Sequence, residues 1–351
     1  MPNDSKDQLH LVSTSDSGPS STYKSGLGHA VFLTWERHRR TRSIAEYFDI
    51  PLLEIVADGS RWRRYPRQIL RTIGALRRSA ATRFIVQNPS LLLSVTVVLW
   101  RGIFARKRFV VIDAHNQAVV PFMSNNFVVR ALSRYVLRKA NLTLVTNRFL
   151  VDAVERRGGH AVVLPDRLPA ISPCPAPPME SNGPMRVLVI ATFAPDEPID
   201  AILQAARIVG SSVEFSFTGD SRKVPDSTHA SAGKNVRFLG YLDEHAYWQA
   251  MAEAHVVLDL TLMPDCLVCG AYEAVAMGRP VVLSNTVAQR EYFREAGTYS
   301  DVNPQSIADA LGSLREHYFD AVSAVMERRE VLAREWHDLA AKVAGRIAAF
   351  G

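Results

Sequence analysis

The chain has 351 residues, of which 47% are hydrophobic and 22% charged, so its composition is globular and its length favours two domains. No apolar run reaches the roughly 20 residues that cross a bilayer, and the best candidate, Leu91–Leu99, is interrupted by Ser94 and Thr96. Lys and Arg outnumber Asp and Glu by 26 to 12 in residues 1–170, whereas the acids lead by 23 to 15 in residues 171–351, which predicts an anionic partner for the first half.

Residues 1–26 are polar and rich in Ser, without the apolar core of a signal peptide, and predict a disordered tail on a cytoplasmic protein. From residue 27 to residue 168, strands and helices alternate, which predicts a doubly wound parallel sheet. The predicted strands are His29–Trp35, Leu52–Val56, Arg83–Gln87, Arg108–Asp113, Leu142–Thr146 and Ala161–Leu164. The predicted helices are Arg39–Phe48, Arg67–Ser79, Leu91–Phe104, Asn126–Lys139 and Phe149–Arg157.

Two polar residues follow predicted strands of this domain, where ligands of doubly wound sheets bind. Glu36 ends the first strand, and His115 follows the fourth. Glu36 could serve as a base for an acceptor hydroxyl, or it could simply pair with Arg37 or Arg39.

The segment RWRRYPR places Trp62 and Tyr65 among four arginines, which are Arg61, Arg63, Arg64 and Arg67. Aromatic rings and cations together favour a lipid headgroup layer, and Arg106-Lys107-Arg108 adds a second basic patch after an apolar helix. We therefore expect contact with an anionic membrane or a lipid diphosphate. The alternative is that Trp62 and Tyr65 are core residues. Nucleic acid is disfavoured, because the chain has no zinc-finger, KH or RRM motif.

Residues 169–184 are rich in Pro and predict a semi-rigid linker. A second alternating domain is predicted at 185–330, followed by a C-terminal helix at 331–351. Its predicted strands are Met185–Ala191, Val213–Thr218, Val236–Leu239, Val256–Leu260 and Val281–Leu283. Its predicted helices are Ile199–Val209, Glu244–Ala254, Gly270–Met277, Val287–Glu295 and Pro304–His317, with one or two further helices in Phe319–Phe350.

The stretch DCLVCGAYEAVAMGRPVVLSN, residues 265–285, predicts a loop, a short helix and a buried strand. Asp265 falls in the loop and Glu273 in the first turn of the helix. The free N–H groups of that turn, near Gly270 and Ala271, form a potential anion site. An acid beside an anion site suits a ligand with both phosphate and sugar hydroxyls, although an amphipathic helix with a surface acid would look the same.

An acid, seven residues, Glu-Ala and then Ala-x-Gly-x-Pro-Val-Val resembles the donor-site signature of GT-B glycosyltransferases, especially glycosyltransferase family 4. The resemblance implies two Rossmann-like doubly wound domains facing an interdomain cleft, with the terminal helix returning to the first domain. It implies that Glu273 holds the ribose of a nucleotide sugar. It also implies that Asp265, an Asp where the family usually has Glu, and His115 act at the transferred sugar, although His115 could be a loop residue bonded to backbone.

The sequence departs from the family's pattern at the positions expected to bind the diphosphate of the donor. The family usually places Arg and Lys where this chain has Thr192 and Glu197. Neutralisation could instead come from Arg222 or Lys223 after the Gly219-Asp220 turn, from Arg167, or from the helix N-terminus at Cys269, Gly270 and Ala271.

Cys266-x-x-Cys269 could indicate redox or metal chemistry, but no second Cys or His pair completes a zinc site, so small buried side chains are expected. We therefore predict a glycosyltransferase, retaining in type, that needs no metal or other cofactor and transfers sugar from a nucleotide-diphosphate sugar to a lipid-linked glycan acceptor. It would act on the inner face of the cell membrane, in exopolysaccharide or lipopolysaccharide assembly. A non-catalytic GT-B scaffold subunit and a nucleotide-sugar epimerase remain alternatives. An NAD enzyme is disfavoured, because no G-x-G-x-x-G follows the first strand of either half.

Overall fold

The computed structural model describes residues 10–12, 27–88, 90–120, 126–180, 183–224, 228 and 232–349. The chain divides into two compact units. Unit 1 comprises residues 1–167 and 336–351, and unit 2 comprises residues 168–335. The Pro-rich segment therefore belongs to unit 2, whereas the end of the last helix belongs to unit 1.

Unit 1 contains a seven-stranded sheet whose strands lie in the order β1-β3-β2-β4-β5-β6-β7. These strands are β1 (His10–Val12), β2 (Ala30–Thr34), β3 (Leu52–Glu54), β4 (Arg83–Asn88), β5 (Phe109–Ala114), β6 (Leu142–Val145) and β7 (Ala161–Val163). All neighbours are parallel except β1 and β3, which are antiparallel.

Strand β1 lies inside the predicted disordered tail, so that prediction was wrong for residues 10–12. The strand forms because its backbone supplies partners to the otherwise open edge of β3. The rest of the predicted tail, residues 1–9 and 13–26, lies outside the described residues.

Helices cover both faces of this sheet. They are α1 (Arg39–Tyr47), α2 (Arg61–Arg78), α3 (Leu91–Phe104), α4 (Asn116–Val119), α5 (Phe127–Lys139) and α6 (Arg148–Glu155). One apolar core joins the sheet to α2, α3, α5 and α6 through residues such as Leu76, Val97 and Leu137. The other joins it to α1 and to the end of the last helix through residues such as Ile44 and Trp336.

Helix α2 begins at Arg61 and not at the predicted Arg67, so RWRRYPR is helical. Proline usually marks a helix boundary, which is why the prediction started late. Here Pro66 lies inside the helix, and the Ser60 carbonyl accepts hydrogen bonds from the N–H groups of Arg63 and Arg64.

Unit 2 contains six parallel strands in the order β10-β9-β8-β11-β12-β13. They are β8 (Met185–Val189), β9 (Val213–Thr218), β10 (Val236–Gly240), β11 (Val256–Asp259), β12 (Val281–Ser284) and β13 (Gly297–Ser300). The helices are α7 (Ile199–Val209), α8 (Glu244–Glu253), α9 (Cys269–Met277), α10 (Val287–Phe293), α11 (Pro304–Glu316) and α12 (Tyr318–Ala348). The strand order reverses between β8 and β11, which is where doubly wound sheets bind ligands.

Two features of unit 2 were not predicted from the sequence. Strand β13 is only four residues long and carries no apolar run. Of the one or two helices predicted in Phe319–Phe350, the structure has one, α12, and its end belongs to unit 1. The Pro-rich segment packs on unit 2, because the buried guanidinium of Arg279 donates to the carbonyls of Cys174 (3.1 Å) and Pro175 (3.1 Å). None of the helices in the described ranges is both long enough and apolar enough to cross a membrane.

Candidate functional site

The carboxyl edge of the unit 1 sheet gathers buried polar side chains. His115 follows β5, and its ring meets the ring of His38 edge-on with centroids 4.9 Å apart. Asn88, at the end of β4, is buried. Neither polar atom of the Asn88 side chain has a hydrogen-bond partner among the described residues. The same is true of two ring nitrogens, His115 Nε2 and His38 Nδ1. Such unmet polar groups are uncommon inside a protein and make this edge a candidate site for a hydroxyl-bearing ligand.

Burial lowers the pKa of His115, and the nearby Asp113 offsets this only in part. Burial also lowers the pKa of His38, and the electrostatic effect of His115 lowers it further. Both imidazoles are therefore neutral at neutral pH, when each can accept a proton or a hydrogen bond. The backbone N–H of His115 donates to the Asn88 carbonyl at 3.0 Å, which fixes the main chain where β5 ends.

A buried ion cluster anchors this edge. Arg40 donates from Nε to Asp113 Oδ1 (2.9 Å), from Nη1 to Asp166 Oδ1 (2.5 Å) and from Nη2 to the Leu164 carbonyl (2.8 Å). Burial would lower the pKa of Arg40, but Asp113 and then Asp166 raise it above its ordinary value. Two carboxylates and one guanidinium leave the cluster with a net negative charge, which disfavours an anion beside His115.

Glu36 lines a small pocket of about 220 Å³ at the same edge, together with residues of α2 and the start of α3. The other lining residues are Trp35, Arg64, Tyr65, Gln68, Ser90, Leu91 and Leu92. Arg37 pairs with Glu54 (3.8 Å) and not with Glu36. Arg37 thus has another partner, whereas the choice between Glu36 as a base and Glu36 as the partner of Arg39 stays a prediction.

The first turns of α2, α3 and α5 also lie at the carboxyl edge of the sheet. The reason is that α2 follows β3, α3 follows β4, and α5 follows β5 after the short helix α4. The first turns of these helices expose Trp62 (91%), Leu92 and Phe127 (80%). Arg61, Arg63 and Arg67 are exposed beside Trp62. We call these six residues the helix-start surface. The alternative that Trp62 is a core residue is wrong, whereas Tyr65 is half-buried and stacks on Trp35.

The two predicted basic patches lie at opposite ends of the unit 1 sheet. Arg106-Lys107-Arg108 precedes β5 at the amino edge. The guanidinium of Arg108 also lies over the rings of Phe84 and Trp100, so it forms cation–π contacts with residues of the core. A further basic groove of about 980 Å³ was missed. Its described lining includes five cations and no acid, and the cations are Arg130, Arg134, Arg138, Lys139 and Arg157. Four of them, Arg130, Arg134, Arg138 and Lys139, recur at helical spacing in α5, a signal that the sequence carried.

In unit 2, Glu273 lies on α9 near the switch point. The helix begins at Cys269, so Glu273 is its fifth residue and lies beyond the predicted first turn. Its carboxylate accepts a hydrogen bond from the Tyr247 hydroxyl of α8, a partner that the sequence did not indicate. The side chain is half-buried.

Asp259, at the end of β11, was not predicted as a site residue. Its carboxylate accepts the N–H of Gly270 at 2.8 Å, so an acid of the chain already uses part of the predicted anion site. A side chain at position 270 could not fit, because a Cβ atom there would lie 2.5 Å from Asp259 Oδ2. Burial raises the pKa of Asp259 well above its ordinary value, and the acids Glu197, Glu273 and Asp196 raise it further.

Glu197 binds the loop that follows β8. Its carboxylate accepts from the N–H groups of Thr192 (2.9 Å), Phe193 (2.7 Å) and Ala194 (3.3 Å), and from Thr192 Oγ1 (2.7 Å). Thr192 and Glu197, the two residues that depart from the family's pattern, therefore bind each other through their side chains.

The cations expected to replace the missing Arg and Lys have partners of their own. Arg222 pairs with Asp220 at 2.8 Å, and Lys223 Nζ lies 3.3 Å from the Thr192 carbonyl. Gly219 is close to the loop after β8, since a Cβ atom there would lie 2.1 Å from the Ala191 carbonyl oxygen. Arg167 belongs to unit 1, where it lies over the rings of Tyr47 and Trp336.

The predicted buried cysteine pair was wrong. Cys269 is exposed and Cys266 is half-buried, because the turn before α9 leaves them at the surface. Asp265 is half-buried in the same turn. Within the described ranges, no three His, Cys, Asp or Glu residues are grouped as a metal site.

Several solved structures share this architecture. Sucrose-phosphate synthase from Thermosynechococcus elongatus superposes with a TM-score of 0.69 at 15% identity, over 90% of this chain and 87% of the other. Anabaena Alr3699/HepE in complex with UDP and glucose gives 0.71 at 13% identity, over 91% and 98%. The structure described as trehalose-6-phosphate from E. coli bound with UDP-2-fluoro glucose gives a TM-score of 0.67 at 11% identity, over 91% of this chain and 98% of the other. No curated protein sequence matches the chain.

The chain is thus a protein of the GT-B fold, with a Rossmann-like sheet in each unit. Residues 184–317 match the family model described as glycosyl transferases group 1, so unit 2 carries a group 1 glycosyltransferase domain.

Proposed function

We propose that the protein transfers a sugar from a nucleotide-diphosphate sugar to a membrane-associated glycan acceptor in exopolysaccharide or lipopolysaccharide assembly. The observation that carries this proposal is the position of Glu273. It lies on α9 of a group 1 glycosyltransferase domain, beside the switch point between β8 and β11. In this proposal Glu273 holds the ribose hydroxyls, and Asp265 faces the transferred sugar.

A uridine nucleotide is the first donor to test, because similar folds have been solved with UDP or a UDP sugar. No metal is required in this proposal. The leaving diphosphate would be met by backbone N–H groups and by Lys223, which is the kind of fixed electrostatic stabilisation that speeds transfer. We propose retention of configuration at the anomeric carbon.

Unit 1 would bind the acceptor. Glu36 in its pocket would accept the proton of the acceptor hydroxyl, and the neutral His115 would bind sugar hydroxyls. The helix-start surface supports a lipid-bound acceptor, because exposed Trp62 and Phe127 lie at the same sheet edge as Glu36 and His115. Aromatic rings with arginines suit the headgroup layer of an anionic membrane.

A non-catalytic GT-B subunit is the second candidate. The observation in its favour is that carboxylates of the chain itself bind the N–H groups of Gly270 and of the loop after β8. Such a subunit would keep the fold without binding nucleotide, and would scaffold an active partner.

A thermal-shift panel with UDP, GDP and ADP sugars separates the two candidates. A ligand at a hundredfold its dissociation constant adds about 2.7 kcal/mol to the free energy of unfolding. The transferase predicts a raised Tm with at least one nucleotide sugar. A Tm that none of them changes would favour the scaffold.

Membrane contact is tested by sedimentation with anionic and zwitterionic vesicles. Each cation near an anionic surface contributes about 1 kcal/mol, and salt weakens the attraction. Replacing Arg61, Arg63, Arg64 and Arg67 with Gln should reduce binding to anionic vesicles. A control variant with Arg334, Lys342 and Arg346 of α12 replaced by Gln should bind as the wild type does. Binding that ignores lipid charge and salt would contradict this part of the proposal.

A further inference from the structure

The loop that follows β8, residues 191–198, forms an anion site from its own backbone. Three successive N–H groups, those of residues 192–194, converge on the Glu197 carboxylate. Phe193 has a φ of 57°, which is uncommon for a residue with a side chain and turns the neighbouring N–H groups in one direction. Successive N–H groups arranged in this way form a nest that binds phosphate or carboxylate.

This nest lies at the switch point of the unit 2 sheet. Strand β8 is the first strand of the unit, and β11 is its neighbour on the other side of the reversal. The two loops after these strands are tied together, because Thr261 Oγ1 donates to Asp196 Oδ2 (3.1 Å) and the Leu262 N–H donates to the Asp196 carbonyl (2.7 Å). A ligand phosphate at the switch point would thus meet the nest first.

The surroundings of the nest are acidic. Asp196, Glu273 and Glu197 all raise the pKa of Asp259, so four carboxyl groups share this edge of the sheet. The two cations predicted to neutralise the diphosphate in this domain are already engaged, since Arg222 pairs with Asp220 and Lys223 contacts the Thr192 carbonyl. A phosphate could enter the nest only by displacing Glu197, and the carboxylates that remain nearby would repel it.

We infer that Glu197 is a specificity-determining residue of unit 2: its carboxylate occupies the backbone nest and competes with the phosphate of the donor. The inference rests on the proposed nucleotide-sugar site. It implies that the protein binds nucleoside diphosphates weakly because the nest already contains an anion. Removing the Glu197 carboxylate frees three N–H donors and a hydroxyl for the ligand, and removes one negative charge.

The test is calorimetric titration of UDP and of inorganic pyrophosphate into the full chain and three variants. Glu197→Ala removes the competing group, and Glu197→Gln keeps its size while removing its charge. Asp200→Asn is the control, since it removes the same charge from the exposed first turn of α7 without touching the nest. Thermal unfolding of each variant shows whether the loop change has disturbed the fold.

We expect both Glu197 variants to bind UDP and pyrophosphate about tenfold more tightly than the wild type, which corresponds to about 1.4 kcal/mol, while Asp200→Asn binds as the wild type does. Equal affinity in the wild type and the Glu197→Gln variant would overturn the inference even if UDP binds well, and the proposed function would stand. The same gain in Asp200→Asn would also overturn it, because overall charge would then explain the change. A gain for pyrophosphate without one for UDP would support the nest but contradict the nucleotide site.

Discussion

The buried Arg40 gives a sharp prediction about what supports the carboxyl edge of unit 1. Its side chain is 2% exposed and pairs with Asp113, which is fully buried, and with Asp166, which is 19% exposed. Arg40→Ala would leave both carboxylates without their cation. Breaking a buried ion pair by removing one partner costs about 3–5 kcal/mol. Burial would raise the pKa of Asp166, and Arg40 is the main group that holds it below its ordinary value, so the pKa of Asp166 should rise in the variant.

Urea unfolding of the full chain, followed by the fluorescence of the tryptophans, measures this change. We expect the unit 1 transition to lose about 3–5 kcal/mol in Arg40→Ala. The loss should be smaller in Arg40→Lys, which keeps the charge but loses the paired hydrogen bonds of the guanidinium. The double variant Arg40→Ala/Asp113→Asn should be more stable than additivity predicts, because the stranded charge is also removed. A loss below about 1 kcal/mol in Arg40→Ala would refute the view that the guanidinium neutralises buried carboxylates.

Three further predictions concern the titrating groups. Because burial lowers the pKa of His38 and His115 in the folded state, their neutral forms contribute stability above the unfolded pKa of about 6.5 that is lost as the pH falls below it. The Tm should therefore drop between pH 7.5 and 5.5, and less so in His38→Gln; equal slopes would contradict this. Asp259→Asn should raise the Tm at pH 8, because the raised pKa of Asp259 means that its ionised form is disfavoured, and Asn can still accept the Gly270 N–H; a lower Tm would contradict it. Glu36→Gln should lower turnover by about 10²–10⁴ with unchanged UDP affinity, as loss of a general base does, and an equal loss of affinity would assign Glu36 to binding.

Much of the fold could be predicted from the sequence because apolar strand runs and helix periodicity are local signals. The predicted strands Val256–Leu260 and Val281–Leu283 differ by one residue from β11 and β12. Strand β1 could not be predicted, because its three residues are a strand only through pairing with β3.

The site was less predictable because its contacts join residues that are distant in sequence. A motif made Glu273 a candidate site residue, but its partner Tyr247 lies 26 positions away on another helix. His38 and Asn88 come together with His115 only when β2 pairs with β4 and β4 with β5. At Glu197 the sequence showed a charge that disagreed with the motif, and only the structure showed that this charge binds the loop itself.

The central claim is that unit 2 binds a nucleotide sugar through Glu273, and calorimetric titration of UDP into wild type and Glu273→Gln tests it most directly. The Gln side chain can still accept the Tyr247 hydroxyl, so the variant removes the charge with little change to the fold. A charged hydrogen bond contributes about 1.5–3 kcal/mol, so the account predicts a loss of about ten- to hundredfold in affinity. Glu253→Gln, an exposed acid on α8, should leave affinity unchanged. Equal UDP affinity in wild type and Glu273→Gln would contradict the account. UDP binding by neither the wild type nor Glu197→Ala would also contradict it.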